Sequence, residues 1–130
     1  MPEYISEKLE LRISSIQLRE DGIMHIDIRG DELFVLKDVH ELIEAAGKIG
    51  GGARFPNLIT IGEYTIPDAE ARKFASSPEG SIYKTADAFV IKSFSQVLVA
   101  NFYVKVNKPF VPSHFFKKTE EAEKWLGQFR

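Results

Sequence analysis

The run Gly47-Lys48-Ile49-Gly50-Gly51-Gly52 is where the chain comes nearest to a ligand-binding motif, because a glycine-rich loop can wrap its N–H groups around a phosphate. That chemistry needs a strand before the loop and a helix N-terminus after it, so that free N–H groups and the positive end of the dipole face the anion. Here the order is reversed: the hydropathy is helical up to Ala46 and strand-like from Leu58. The glycines read as a helix C-cap and connector. His25, His40 and His114 lie far apart, and Asp38 and His40, two apart on a helix, point to different faces, so no metal site is expected. None of the nine serines has the flanking glycines of a nucleophile elbow, and paired acids occur only as helix-surface neighbours. Zero cysteines excludes a thiolate ligand and a thiol nucleophile together. The expectation is a non-enzymatic protein with no catalytic residue, cofactor or metal.

The elements that position these residues follow from periodicity. Leu9 to Arg19 alternates, with a slip at Ser14-Ser15 that reads as a bulge or bend. Asp21-Gly22 is a turn signal and Ile23 to Ile28 alternates again, which makes a β-hairpin with His25 on the outward parity. Leu33-Phe34-Val35 reads as a short third strand. From Lys37 the period becomes helical, with Leu36, Val39, Leu42, Ile43 and Ala46 inward and Asp38, Glu41 and Glu44 on the other side. Leu58 to Ile61 is a buried strand. Thr65 is the expected N-cap of a second helix running to about Phe74, broken by Ser77-Pro78-Glu79-Gly80. A short turn at Ser81–Thr85 leads to a strand at Ala88–Ile91. A third helix, Gln96 to Val106, is apolar almost all round, and such a helix is either central or covered by another molecule. Phe110-Val111 is a short extended piece. Thr119 is the expected cap of a last helix that buries Ala122, Trp125, Leu126 and Phe129.

A length of 130 residues fits one domain, 1–130, large enough to bury its own core. The charged N-terminus reads as neither signal peptide nor anchor, and no apolar run reaches the roughly 20 residues that span a bilayer. With no disulfides to form, a cytoplasmic protein without membrane insertion is expected. A net charge of −2 argues against nucleic-acid binding. The charge is nevertheless uneven: Lys105 to Lys118 carries four lysines, His114 and no acid, either a solvated edge or a surface for an acidic partner. The alternation of strands and helices after the hairpin implies parallel strands joined by right-handed crossovers. The fold class is α/β, a mixed sheet of about five strands with an N-terminal β-hairpin and about four helices.

This order of elements resembles the STAS domain. The stretch Asn101-Phe102-Tyr103-Val104-Lys105-Val106-Asn107-Lys108-Pro109, with Pro112, Phe116, Ala122 and Trp125-Leu126, resembles a family of small bacterial SpoIIAA-like proteins of uncharacterised function, as does Ala69 to Ala75. STAS antagonists carry Asp-Ser-Ser-Gly at the start of their second helix, where a kinase phosphorylates a serine. With Thr60 set on the strand aspartate, Asp68 takes the second aspartate, and Ala69 and Glu70 fall where the serines would be. The kinase-switched mechanism is therefore not carried over.

The expectation is an interaction or regulatory module. It would present Tyr64, Thr65, Asp68 and Arg72, with the turn carrying Lys105, Asn107 and Lys108, to a protein partner. Self-association through helix 96–106 is a further expectation. The alternative is a small-ligand or lipid-binding domain, with some of the ten phenylalanines lining a pocket rather than filling the core.

Overall fold

A computed structural model describes residues 3–130. Eight strands occur in it: β1 (Leu9–Glu10), β2 (Ser14–Leu18), β3 (Met24–Ile28), β4 (Leu33–Phe34), β5 (Phe55–Ile61), β6 (Ile66–Pro67), β7 (Lys84–Val90) and β8 (Ser113–Phe116). The helices are α1 (Leu36–Ile49), α2 (Ala69–Ser76), α3 (Phe94–Phe102) and α4 (Thr119–Leu126). Six strands form one mixed sheet in the order β1-β2-β3-β5-β7-β8, and β4 and β6 pair as a separate parallel ribbon. The β1/β2 and β2/β3 pairs are antiparallel, whereas β3/β5, β5/β7 and β7/β8 are parallel. The mixed α/β class and the hairpin are as expected, with one more strand in the sheet than the sequence suggested.

Alternation along the strands assigns side chains to two layers. Met24, Ile26, Ile28 and Ile59 face α1 and α2, where they meet Phe34, Val39, Leu42, Ala45, Ala46 and Ala71. Leu58, Ala86, Ala88 and Val90 face the other way, onto Ala122 and Leu126 of α4. The small alanines of β7 let α4 approach the sheet closely, and Phe116, Trp125 and Phe129 close the edge of that layer.

Four local readings are corrected. Leu9 to Arg19 is not one bulged strand; of the bulge or bend expected, it is the bend that occurs, and it is a full reversal after Leu11, with β1 pairing back on β2 and Leu9 opposite Ile16. Two short strands joined by a tight reversal preserve the alternation almost unbroken, so periodicity could not separate them. Thr65 is not the N-cap of α2. It is 1% exposed, and its hydroxyl donates to the carbonyls of Gly30 at 2.5 Å and Arg29 at 3.2 Å, while Asp68 caps α2 by accepting from Ala71 N–H at 2.9 Å. Thr119 is the first residue of α4 rather than its cap, which is Lys118. The last strand is β8, which starts two residues beyond the Phe110-Val111 piece. The glycine connector stands as read: it follows α1 and precedes β5, with Gly51 and Gly52 at φ of 62° and 83°, a region that favours glycine.

Candidate functional site

Helix α3 begins with a complete capping box. Ser93 Oγ accepts from Gln96 N–H, and Gln96 Oε1 accepts from the N–H groups of Ser93 and Lys92 at 3.2 and 2.7 Å. Gln96 Nε2 then donates to the carbonyls of Gly62 and Thr65 at 2.7 and 3.1 Å, which ties the helix to the loop after β5. This places Ala100 inward and leaves Phe94, Leu98, Phe102 and Val106, four apart, along the outer side. Phe94 is 76% exposed, and Leu98, Phe102, Val104, Val106 and Phe110 are also exposed. Helix α3 is therefore not central, and within the chain its outer side is bare. Its first turn borders a groove of about 440 Å³ formed by Ile91, Lys92, Ser93, Phe94, Val97 and Lys117. From Lys92 to Lys118 there is no acid, and Lys92, Lys105, Lys108, Lys117 and Lys118 are all exposed.

After Phe102 the helix widens into a π-turn, Tyr103–Asn107, closed by Lys108 N–H bonding Tyr103 O at 3.1 Å. Lys108 sits at φ 53°, an uncommon left-handed conformation for a residue with a side chain. Single π-turns of this kind are frequent at functional sites. Of the residues expected at a partner surface, Lys105 and Lys108 are exposed in this turn and Asn107 is half-buried. Tyr64 is exposed in the loop that Gln96 bonds at Gly62 and Thr65. Arg72 turns inward from α2: Nη1 donates to Pro67 O at 2.7 Å, and the guanidinium lies 5.2 Å over the Phe102 ring. Thr65 is buried and Asp68 is occupied by its cap. The expected surface is thus split, with Tyr64, Lys105 and Lys108 outside, Arg72 half-buried against Phe102 and Thr65 in the interior.

Two polar clusters were not anticipated. On the α1/α2 side of the sheet, Lys84 Nζ donates to Asp87 Oδ2 at 2.6 Å and to Ala75 O at 3.1 Å, and Asn57 Nδ2 donates to Asp87 Oδ1 at 3.2 Å. All three side chains are buried. Residues i and i+3 of a regular strand face opposite ways, but a register shift against Phe55 and Pro56 inserts Thr85 and puts Lys84 and Asp87 together. On the opposite side, Tyr4 O–H lies 3.0 Å from His25 Nδ1, His25 Nε2 lies 3.3 Å from Thr60 Oγ1, and Thr60 Oγ1 donates to Asp27 Oδ1 at 2.6 Å. A neutral ring protonated on Nε2 satisfies every link of this chain. Burial holds the His25 pKa below its ordinary value, against the pull of Asp27. Parity sets His25 opposite Met24, Ile26 and Ile28, which is correct, but that face is not outward: it carries the α4 layer, and Tyr4 bonds the half-buried ring. Asp38, read as a solvated helix acid, is buried. It takes both arms of Arg12 at 2.7 and 2.8 Å and accepts from Val35 N–H, and the Arg12 bonds hold its carboxyl below the usual range.

Comparison with known proteins bears on the fold. A family model described as a domain of unknown function, DUF7793, matches residues 16–130, which span every helix and all strands but β1 and the first two residues of β2. The chain belongs to this family. No curated protein matches it. Among solved structures, the DUF7793 chain is similar to an uncharacterized protein of the DUF3478 family, with a SpoIIAA-like fold, from Shewanella loihica PV-4. That match covers 97% of this chain and 95% of the other at 13% identity, with a TM-score of 0.51. At that identity the likeness shows the fold alone, and the fold is SpoIIAA-like, as the C-terminal pattern implied. No helix among the described residues is long and apolar enough to cross a membrane.

Proposed function

We propose that this DUF7793 chain is a non-enzymatic protein-interaction module that docks an acidic segment of a protein partner, carrying apolar side chains, along the outer face of α3. The observation that carries this reading is the groove at Phe94, with Ile91 and Val97 beside it and Lys92 and Lys117 on its rims. An exposed aromatic anchor in a concave site, flanked by charge of one sign, suits a hot spot ringed by steering contacts. The charge also selects among occupants. A second copy related by a two-fold through α3 would bring lysines against lysines, whereas an acidic segment meets them with opposite sign.

The test compares proteins retained by the wild-type chain with those retained by Phe94→Glu and Leu98→Glu. Both positions are exposed, so each variant should keep its stability to within about 0.5 kcal/mol. An acidic partner held by the wild type, released by salt and lost with both variants supports the reading. The same proteins retained by wild type and variants would sink it. So would a dimer in light scattering that Leu98→Glu dissolves, because the face would then be covered by a second copy.

A further inference from the structure

Beneath α3 the α1/α2 side of the sheet holds two cavities of about 100 and 90 Å³, both bordered by Ile28, Phe34, Ala75 and Phe89. Protein interiors pack at the density of organic crystals, and voids larger than a water molecule are few, so two that share a wall are notable. The second, between the sheet, α2 and α3, is lined mainly by apolar side chains. Two polar groups in its wall lack partners: the Tyr103 hydroxyl and Arg72 Nε are both buried and unbonded. Tyr103 is 5% exposed. Burial, aided by the charge of Asp87, raises its pKa, so the phenol keeps its proton and remains a donor. Among the described residues Arg72 has no carboxylate partner; its bond is to a backbone carbonyl and its plane rests on Phe102. Buried polar groups are nearly always bonded, and each exception calls for an explanation.

A guanidinium with an unbonded Nε and a neutral phenol with an unbonded hydroxyl, both on residues that line an apolar cavity, complement an anion that has an apolar tail. We propose that the cavity between the sheet, α2 and α3 binds a short-chain monocarboxylic acid, its carboxylate on Arg72 and Tyr103 and its tail toward Phe89 and the adjoining cavity. Charge-assisted bonds from a guanidinium and a phenol select a carboxylate over an alcohol of equal length. Volume sets the tail. A cavity of about 150 Å³ admits benzene, so the two spaces here together suit about four to six carbons and not a membrane fatty acid. This site lies behind α3 and shares Phe102, on whose ring Arg72 rests, with the outer face.

The experiment measures binding of butanoate, hexanoate, octanoate and palmitate to the full chain by calorimetry, with hexanol and acetate as controls. Amide NMR shifts then locate the contact. Butanoate or hexanoate should bind most tightly, shift the amides of Ala71, Ala100 and Tyr103, and outcompete hexanol. Tyr103→Phe removes only the oxygen and an unpaired buried group, so it should fold normally and weaken the carboxylate about tenfold while leaving hexanol unchanged. Arg72→Met should abolish the preference for carboxylate over alcohol. The proposal is overturned if hexanol binds as well as hexanoate, if Tyr103→Phe binds hexanoate undiminished, or if no acid of the series binds at millimolar concentration.

Discussion

The ammonium of Lys84 and the carboxylate of Asp87 are both buried, and each depends on the other to offset the loss of water. Removing one partner of such a pair leaves an uncompensated interior charge, and the loss is about 3–5 kcal/mol. Asp87→Ala should therefore lower stability by that amount in denaturant titration. Replacing both, as Lys84→Met with Asp87→Leu, should recover most of it, because apolar side chains of similar size need no partner. A double variant no more stable than the single would show that the cluster is held by something other than the ion pair. His25 behaves differently, since its stake is in being neutral. Its folded pKa lies below the ordinary value of about 6.5, so below that pH the unfolded chain binds the proton more readily. The contribution of His25 is complete above pH 6.5 and is lost as pH falls through the folded pKa. His25→Gln should flatten stability against pH in this window, and unfolding curves from pH 7 to 5 would show an unchanged slope if burial were not the cause. Neither role could be read from spacing. Lys84 and Asp87 meet only because a bulge breaks the strand period, and Tyr4 reaches His25 across 21 residues.

Helix α3 and the turn that ends it show what residue pattern conveys about an element and what it leaves out. Its apolar character was plain in the sequence, but which side would be bare depends on the capping box and on Gln96 reaching Gly62 and Thr65, contacts more than 30 residues apart. Once that anchor is fixed, the spacing of Phe94, Leu98, Phe102 and Val106 gives the exposed stripe directly. The π-turn has no such signature, because it differs from a helix only in a bond from Lys108 N–H to a carbonyl five residues back. Its strain is concentrated at Lys108, whose left-handed backbone costs a side-chain-bearing residue about 1–2 kcal/mol that glycine does not bear. Part of that gain is offset by the greater freedom of glycine in the unfolded chain. Lys108→Gly should thus raise stability by about 0.5–1 kcal/mol, measured as a higher denaturant midpoint at unchanged slope. If the turn serves the docking surface, the same variant should bind an acidic partner more weakly, which is the exchange of stability for function seen where strain is kept at a binding site. A variant less stable than wild type would mean that the Lys108 side chain holds the turn.

At the scale of the molecule, the sheet is one object with two separate apolar layers. Strands β5 and β7 belong to both: Ile59 and Phe89 pack toward α1 and α2, while Leu58, Ala88 and Val90 pack toward α4. A second link joins the chain ends, because the buried Arg19, which follows β2, is bonded to both Asp21 and Glu123 of α4. Layers that share their central strands cannot be lost one at a time without exposing the other, so unfolding should be a single cooperative step. The only tryptophan, Trp125, reports on the α4 layer alone, whereas far-ultraviolet circular dichroism reports on every helix. The two signals should therefore fall together along a urea titration. Leu126→Ala makes the test sharper, because Leu126 is fully buried in the α4 layer and its loss leaves a cavity there. The substitution should cost about 2–5 kcal/mol, and both signals should move to lower urea by the same amount. If the tryptophan transition moved while the dichroism transition stayed, the α4 layer would be melting from a sheet that stands without it, and the shared strands would not couple the two faces.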